Sequence, residues 1–400
     1  MRSVVLIIIF LIAASSGDSD FNSNVAKFSV ELLYRTMQDA GWQSRVMSPY
    51  TIWSLLTSMA YENLGDTWEE VSNVFLLTKN RSEFVEAFTN LRQSVFRVNN
   101  MVSWNFLFYD ENFHIHSDSI SRLENNFGFI TRRFNFKDQQ GATVFRLRIL
   151  EEHLIPTIGW HGVLSIQDFI NSTMIINNFS QFYAEWSNPF TNKLTPVYNG
   201  HRNSTGYMTI MSAKGRFRIS NFESLKATVT ELPYKGREYG MLLIRPHSGH
   251  EIQEVFNNLR NISLNDIFAK LQNDGDESGW NEVEVNLPSF SDETRINLNK
   301  PLFKMGLSSM FDENSADFNN FSEDDIYISE ITHRTSFVVN FNRTYIITTT
   351  PTLLPPSKSK RNDWTVVKSN DPFIYLIVVK STVTLLFGGS YTDTILYQPF

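Results

Sequence analysis

The stretch between Phe337 and Phe373 constrains this 400-residue chain more than any other. A strand-like run, Phe337–Phe341, opens it, and the apolar run Phe373–Val379 that follows is typical of a strand buried on both faces. The roughly thirty residues between them are rich in threonine, proline and basic side chains, and compact domains keep such long loops where they are functional or disordered. The sequence therefore predicts an exposed, protease-accessible loop between two core strands.

The composition favours one large domain. With 42% hydrophobic residues the chain can bury a large core, and no Gly/Ser linker, repeat or low-complexity tract divides it. The net charge of −7 argues against a nucleic-acid partner, which needs a clustered basic surface. The chain has no cysteine, which excludes a disulfide framework, thiol catalysis and cysteine metal sites. We expect a monomer stabilised by the size of its core.

The N-terminus is typical of a secretory signal peptide. Arg2 precedes the apolar run Val4–Ile12, and the small residues Ala13–Gly17 follow. A membrane anchor needs about 20 apolar residues, and this run is shorter. The sequence therefore predicts a signal peptide over residues 1–17, a mature domain over 18–400 and an extracellular location, with no membrane association.

Glycosylation acceptor triplets agree with secretion, although such triplets also arise by chance. Seven asparagines begin an Asn-x-Ser/Thr triplet: Asn80, Asn171, Asn178, Asn203, Asn261, Asn320 and Asn342.

The order of predicted elements indicates an α+β fold. Ser48-Pro49 is typical of a helix start, and Thr67–Glu70 matches a capping box that opens the next helix. Later, Ala227–Tyr234 alternates, a Gly-containing turn follows, and the chain returns in Met241–Ile244, which predicts a hairpin. Helices concentrate in the N-terminal half and strands in the C-terminal half, without a repeating βαβ order, which favours large antiparallel sheets.

Patterns for catalysis, cofactors and metals are missing from the sequence. It contains no Gly-x-Ser-x-Gly elbow, phosphate-binding glycine loop, His-Glu-x-x-His motif or dinucleotide fingerprint. His114 and His116 can share a strand face, but two ligands are too few for a closed zinc site. We therefore expect no enzyme, no cofactor and no metal.

Short motifs in a fixed order resemble the serpin family over nearly the whole mature chain. They are Ser48-Pro49 with Gly65 and Thr67; Asn178 with Trp186, Phe190 and Thr195; Glu231–Gly236 with Met241–Pro246; Leu287–Phe290; Leu302, Gly306 and Met310-Phe311; Ala316–Phe318; Tyr327–Ser329 with His333-Arg334; and Asp371–Phe373 with Leu386–Gly389. The resemblance is poorest over residues 140–170.

This resemblance implies a single serpin-like domain with a mixed central sheet, further sheets and an exposed reactive-centre loop at about 342–370. It implies that a serine protease attacks the loop as a substrate, and that the loop then inserts as a new central strand and distorts the acyl-enzyme. His333 corresponds to a core histidine of the sheet rather than a ligand. Arg132, Arg133 and Lys137 fall near where some relatives bind sulfated polysaccharide, a possible second partner, although a solvated face is the simpler interpretation.

The hinge at the start of the loop departs from the family pattern, in which inhibitory members show Glu, then Gly-Thr, then alanines. The residues that occupy or flank these positions here are Phe341, Asn342, Arg343, Thr344, Ile346, Ile347 and Thr350. If the glycine serves a left-handed backbone, Arg343 costs about 1–2 kcal/mol there. Bulky β-branched residues favour a strand once inserted but enter a narrow gap less easily than alanine.

Three further features of the loop oppose insertion. Pro351, Pro355 and Pro356 remove ladder hydrogen bonds from a segment that would become strand, and a glycan on Asn342 is hard to bury. In favour of insertion, alternate residues from Thr344 to Thr350 share one face that tolerates burial. The sequence predicts an impaired hinge, and hence inefficient or substrate-like inhibition.

The sequence offers two positions for the bait residue, which is the residue whose peptide bond the protease cleaves. Family spacing counted from the hinge places the scissile residue near Ser357, and counting back from Phe373 places it at Arg361. Lys358 and Lys360 lie between them, and a basic residue suits the acidic pocket of a trypsin-like protease. Lys-Ser-Lys-Arg also resembles a processing site, and a solvated basic loop is the simplest alternative.

Two functions from different classes follow. The first is a secreted serpin whose basic loop engages extracellular trypsin-like proteases. The second is a non-inhibitory serpin that acts as a binding or carrier protein.

Overall fold

The computed structural model describes residues 2–62, 66–78, 80–97, 100–144, 169, 174–199, 204–278, 282–312, 314–324, 326–328, 331–345, 366–367 and 372–392. Its α+β architecture, with three sheets and helices on the same chain, agrees with the predicted α+β class. Within these residues no helix is long and apolar enough to cross a membrane.

The helices fall into an N-terminal group and a later group. The first group is α1 (Arg2–Asp39), α2 (Pro49–Tyr61), α3 (Asp66–Phe75), α4 (Arg81–Val95) and α5 (Ser117–Phe127). The later group is α6 (Ile252–Leu259), α7 (Leu264–Ser278) and α8 (Asn299–Lys304), followed by a 3-10 turn at Ser309–Phe311. Helix α2 is buried on almost every side, which matches its apolar sequence.

The strands number sixteen in the described part of the chain. They are β1 (Arg45–Met47), β2 (Met101–Asp110), β3 (Phe129–Phe134), β4 (Met174–Glu185), β5 (Thr191–Asn199), β6 (Ser204–Arg216), β7 (Arg218–Phe222), β8 (Ala227–Pro233), β9 (Tyr239–Pro246), β10 (Glu282–Pro288), β11 (Phe290–Asn297), β12 (Thr332–Val339), β13 (Arg343–Tyr345), β14 (Val366–Val367), β15 (Phe373–Val379) and β16 (Thr384–Tyr391).

Three sheets contain these strands. The central sheet has the order β11-β12-β13-β4-β2-β3, a second sheet has β1-β16-β15-β9-β8-β7, and a four-stranded sheet has β14-β10-β6-β5. In the central sheet β2 and β3 are parallel, and the other neighbouring pairs are antiparallel, so the sheet is mixed. The loop therefore leaves from the central sheet at β13 and returns along the four-stranded sheet at β14.

The core fills the space between the central sheet, the second sheet and helix α2. Phe337 of β12 stacks on Tyr375 of β15 with ring centroids 5.0 Å apart, and both side chains are fully buried. Phe182 of β4 contacts the rings of Tyr239 and Phe387 from the second sheet. The inner face of the central sheet thus packs against the buried aromatic side chains of the second sheet.

Two predicted helix caps have other roles. Ser48 precedes Pro49 as expected, but its hydroxyl donates to the Leu386 carbonyl (2.6 Å) and makes no cap. Thr67 and Glu70 lie inside α3, where Glu70 accepts hydrogen bonds from the backbone and hydroxyl groups of Ser308 and Ser309. Both motifs join distant segments, which local sequence rules do not anticipate.

Candidate functional site: the hinge of the loop

The start of the loop forms a hairpin with β12. Val339 pairs with Thr344 and Val338 with Tyr345, and the Asn340 N–H donates to the Arg343 carbonyl (3.0 Å). The Asn340 side-chain oxygen accepts from the N–H groups of Asn342 and Arg343, both at 3.1 Å. This pattern of side-chain to backbone bonds is typical of asparagine in turns, and it fixes the exit from β12.

The other edge of β13 pairs with β4. Thr344 lies opposite Ala184, and the pairing is antiparallel as it is with β12. Beyond the strand, the Trp186 indole N–H donates to the Asn340 carbonyl (2.9 Å), and the Phe190 N–H donates to the Phe341 carbonyl (3.0 Å). The first residues of the predicted loop are therefore a central strand of the sheet.

Thr344 is the buried anchor of this strand. Its side chain is fully buried, and its hydroxyl lies 2.7 Å from the hydroxyl of Tyr234. Burial raises the pKa of Tyr234, so its phenol stays protonated and can donate this bond. Trp186 stacks on the Tyr234 ring at 4.5 Å, which holds the phenol in place.

Arg343 adopts an ordinary strand conformation and is absent from the described residues with positive φ. The left-handed strain considered for this position therefore does not arise. Its guanidinium lies 5.2 Å from the centre of the Tyr183 ring and also donates to the Tyr183 hydroxyl. Glu185 pairs with Lys235, which lowers the pKa of that carboxyl, and Arg343 lowers it further.

The strands β4 and β12 flank β13, and both run on beyond the position paired with Tyr345, its last residue. We call this pair of flanking strands the track. Because β4 and β12 pair with opposite edges of β13, they lie two strand spacings apart beside it, about 9.5 Å. Among the described residues they do not pair with each other. Past Thr344, the next inner-face position of the track lies between Phe337 and Phe182, which are both fully buried. An extended β13 would therefore place its next inner-face residue in an apolar slot between these two side chains.

The register also locates the prolines. Tyr345 pairs with Val338, and the two strands run in opposite directions. If β13 were extended by six residues, Pro351 would therefore lie opposite Thr332, the first residue of β12. The proline-free stretch 343–350 thus spans the paired length of β12, and Pro355 and Pro356 fall beyond the β4 end as well. Only Pro351 would meet the track, at its last position.

The remaining hinge and bait candidates lie outside the described residues. These are Ile346, Ile347, Thr350, Ser357, Lys358, Lys360 and Arg361. Phe341 and Asn342 are exposed at the tip of the hairpin turn. Because Asn342 is outside the strand, a glycan on this residue does not have to enter the sheet when β13 forms.

The other glycosylation candidates differ in exposure. Asn80 and Asn261 are exposed, and Asn320 is half-buried. Asn178 lies in β4, where its amide N–H groups donate to the Ser103 hydroxyl, the Trp104 carbonyl and the Asn105 side chain. Its amide is therefore used within the sheet. Asn171 and Asn203 lie outside the described residues.

His333 is buried in the core of the central sheet. Its Nε2 accepts from the Ser48 N–H (3.0 Å) and lies 2.8 Å from the Thr335 hydroxyl. Burial lowers the pKa of His333 to about 4, so the ring is neutral at physiological pH. His114 and His116 are exposed, and no cluster of three metal-ligating side chains occurs among the described residues.

Arg132 and Arg133 lie exposed on the edge strand β3, with Lys137 exposed in the turn that follows. Arg133 donates to the Glu111 carbonyl, and the Glu111 side chain accepts from Asn135. The three cations thus share their surface with an acidic group, and a polysaccharide partner stays a prediction.

Sequence reasoning missed the partners of the hinge. Tyr183, Glu185 and Tyr234 come from β4 and from the turn after β8, about 110 to 160 positions before Arg343 and Thr344. A signal was present, because Tyr183 and Glu185 alternate with the apolar Phe182 and Ala184. That pattern assigns strand faces but not the strand that lies alongside.

Comparisons with known proteins agree with this architecture. The family model for serpins, serine protease inhibitors, matches residues 23–394. Serine protease inhibitor 88Ea of Drosophila melanogaster is 24% identical over 394 residues, covering 92% of this chain and 89% of that protein. The structure of cleaved Serpin 42Da superposes with a TM-score of 0.76 at 19% identity, covering 94% of this chain and 99% of that one. Thyroxine-binding globulin in complex with thyroxine gives 0.73 at 17% identity, covering 94% and 99%.

Proposed function

Because this chain belongs to the serpin family of serine protease inhibitors, we propose that it presents the basic part of its reactive-centre loop, around residues 357–361, as bait to extracellular trypsin-like serine proteases. The observation that carries this proposal is strand β13. The first residues of the loop already occupy the strand position between β4 and β12, where further insertion has to begin. Members of this family are typically protease inhibitors rather than catalysts.

The basic cluster supplies the recognition. A lysine or arginine at 358, 360 or 361 enters an acidic specificity pocket through a charge-assisted hydrogen bond. The protease serine oxygen then attacks the carbonyl carbon of that residue, an ester bond forms, and the peptide C–N bond breaks while the serine proton passes to the nitrogen. That nitrogen becomes the new amino end of the C-terminal segment, which stays folded through β15 and β16. The freed loop extends β13 along the track and draws the attached protease with it.

The prolines set how far this extension goes. Residues 343–350 offer eight strand residues, or about 26 Å at roughly 3.3 Å per residue. Pro351 would have to occupy a position flanked by β4 and by the end of β12, where it lacks the ladder donor. We therefore propose that insertion begins readily and slows at this proline, so that part of the acyl-enzyme is hydrolysed and the inhibitor is also consumed as a substrate.

Secretion and glycosylation belong to the same proposal. The apolar run at the N-terminus followed by small residues supports export. The exposed positions of Asn261 and Asn342 suit glycan attachment, whereas the engaged amide of Asn178 does not, and the exposed Asn80 uses its side-chain amide to cap α4.

Incubation with a trypsin-like protease tests the function. We expect a complex that survives denaturing gel electrophoresis together with a clipped product, and more than one serpin molecule consumed for each protease. Replacing all three basic residues, Lys358→Ala/Lys360→Ala/Arg361→Ala, should slow both products about 100-fold, since a charge-assisted bond of about 3 kcal/mol is lost. The mass of the clipped fragment identifies the scissile bond.

The control is Lys368→Ala, which removes a basic residue from the same loop outside the cluster and should leave the rate unchanged. A clipped product with fully active protease and no complex would reject inhibition. Resistance of the loop to every trypsin-like protease would reject the bait assignment itself.

The carrier alternative finds less support in the cavities of the described residues. One, between α1 and the α6–α7 segment, holds about 40 Å³, far below the roughly 300–1,000 Å³ of typical ligand pockets. A larger cleft of about 680 Å³ is lined mainly by polar and charged side chains such as Glu62, Arg81 and Arg122. Neither resembles an apolar ligand site.

A further inference from the structure

We propose that Arg343 is a positioning residue that clamps Tyr183 and so holds the start of the loop in the sheet of the intact protein. The inference rests on the loop insertion in the proposed function and adds a regulatory element to it. In place of the glycine that the family pattern shows at this point, the chain carries a side chain long enough to reach the neighbouring strand.

The geometry of the strand pair brings the two side chains together. Arg343 lies opposite Glu185, and Tyr183 is two residues along β4, so it is the diagonal neighbour on the same face. Diagonal neighbours in antiparallel pairs are within reach of long and aromatic side chains. Here the guanidinium both covers the Tyr183 ring and donates to its hydroxyl, so one side chain makes two kinds of contact.

The surroundings of this pair strengthen it. Arg343, Tyr183 and Glu185 are all half-buried, which reduces the screening of the cation by water. Glu185 lies beside them and keeps its negative charge, because Lys235 and Arg343 lower the pKa of its carboxyl. The face therefore offers an aromatic ring, a hydroxyl acceptor and a carboxylate to a single cation.

This contact distinguishes the inserted hinge from a withdrawn one. Tyr183 belongs to β4, so Arg343 meets it in this geometry only when β13 lies alongside β4. A contact present in one state and missing from the other shifts the population toward the first. The buried Thr344–Tyr234 bond acts in the same direction from the opposite face.

The consequence for the loop is a strand that is nucleated before any protease arrives. With three residues already paired to β4 and two of them also to β12, extension after cleavage adds residues to an existing strand and does not have to open the sheet first. Arg343 thereby favours insertion over hydrolysis of the acyl-enzyme.

Hydrogen exchange of the intact protein without protease tests the clamp. In Arg343→Ala and in Tyr183→Leu we expect the amides of residues 343–345 to exchange at least tenfold faster than in the wild type, and in Arg343→Lys by a smaller factor. The double variant should exchange no faster than either single variant, because both remove the same contact. Amides of β2 serve as the folding control, and Arg216→Ala is a matched surface arginine.

Rates within twofold of the wild type in Arg343→Ala would overturn the inference. Equal acceleration in Arg216→Ala, or faster exchange in β2 as well, would show general loosening and also overturn it. The proposed function fails separately, through the protease assay, so a normal covalent complex with an unchanged exchange rate in Arg343→Ala rejects the clamp alone.

Discussion

Cleavage of the loop at its basic cluster should raise the melting temperature of the protein by 5 °C or more. Extending β13 by one residue places Ile346 between Phe337 and Phe182, which are fully buried on the inner face of the sheet. Filling that slot and adding ladder hydrogen bonds on both sides stabilises the cleaved form by several kcal/mol, with about 2 kcal/mol from the isoleucine itself. For a chain of this length, 1 kcal/mol corresponds to about 1 °C.

A pair of neighbouring substitutions makes this result specific. Ile346→Asp puts a charge into the apolar slot, so cleavage of this variant should give no rise in melting temperature. In Ile347→Asp the charge lies on the opposite face of the extended strand. On that face the two partners of Tyr345, which are Val338 and Tyr183, are only half-buried, so this variant should keep most of the rise in melting temperature. Differential scanning fluorimetry before and after proteolysis measures both. Equal behaviour of the two variants would contradict the register.

Mild acid should destabilise the protein through His333. The ring is neutral in the folded state because burial lowers its pKa from 6.5 to about 4. The unfolded chain therefore binds a proton more readily than the folded chain, and the stability falls as the pH drops from 6.5 toward 4. The full loss is about 3 kcal/mol, because the pKa of the ring differs between about 4 in the folded chain and 6.5 in the unfolded chain. Protonation also removes the acceptor used by the Ser48 N–H.

Urea unfolding at a series of pH values, compared between the wild type and His333→Gln, isolates this contribution. The variant should start less stable at pH 7.5, since a buried acceptor is altered, but lose less stability on acidification. His116→Gln removes an exposed histidine and should follow the wild type. A wild-type curve parallel to that of His333→Gln between pH 6.5 and 4 would contradict the buried neutral ring.

The fold followed from the sequence because its signals are local. The short apolar run Phe373–Val379, rich in β-branched residues, is typical of a buried strand, and the alternation in Ala227–Pro233 with its return strand predicts a hairpin. The hinge did not follow, because its conformation depends on partners far away in sequence. As a replacement for glycine, Arg343 was expected to be strained, but in the structure it lies in a regular strand and donates to Tyr183 on the neighbouring strand.

The prolines show the same limit. Counted along the sequence they fall inside the segment that should insert, whereas the register of β13 shifts all but Pro351 beyond the flanking strands. The sequence identifies Asn178 as the start of a glycosylation triplet. The triplet carries no information on the three hydrogen bonds that the Asn178 side chain donates within the sheet.

A cysteine pair tests most directly whether the start of the loop is a strand of the central sheet in the intact protein. The chain has no cysteine, so Thr344→Cys/Ala184→Cys introduces one directly opposed pair at a strand spacing suited to a disulfide. We predict that mild oxidation crosslinks this pair nearly completely without protease, whereas Tyr345→Cys/Ala184→Cys, whose backbone positions are offset by one residue in the ladder, stays reduced. Failure of the first pair to crosslink, or equal crosslinking of both, would contradict the inserted hinge.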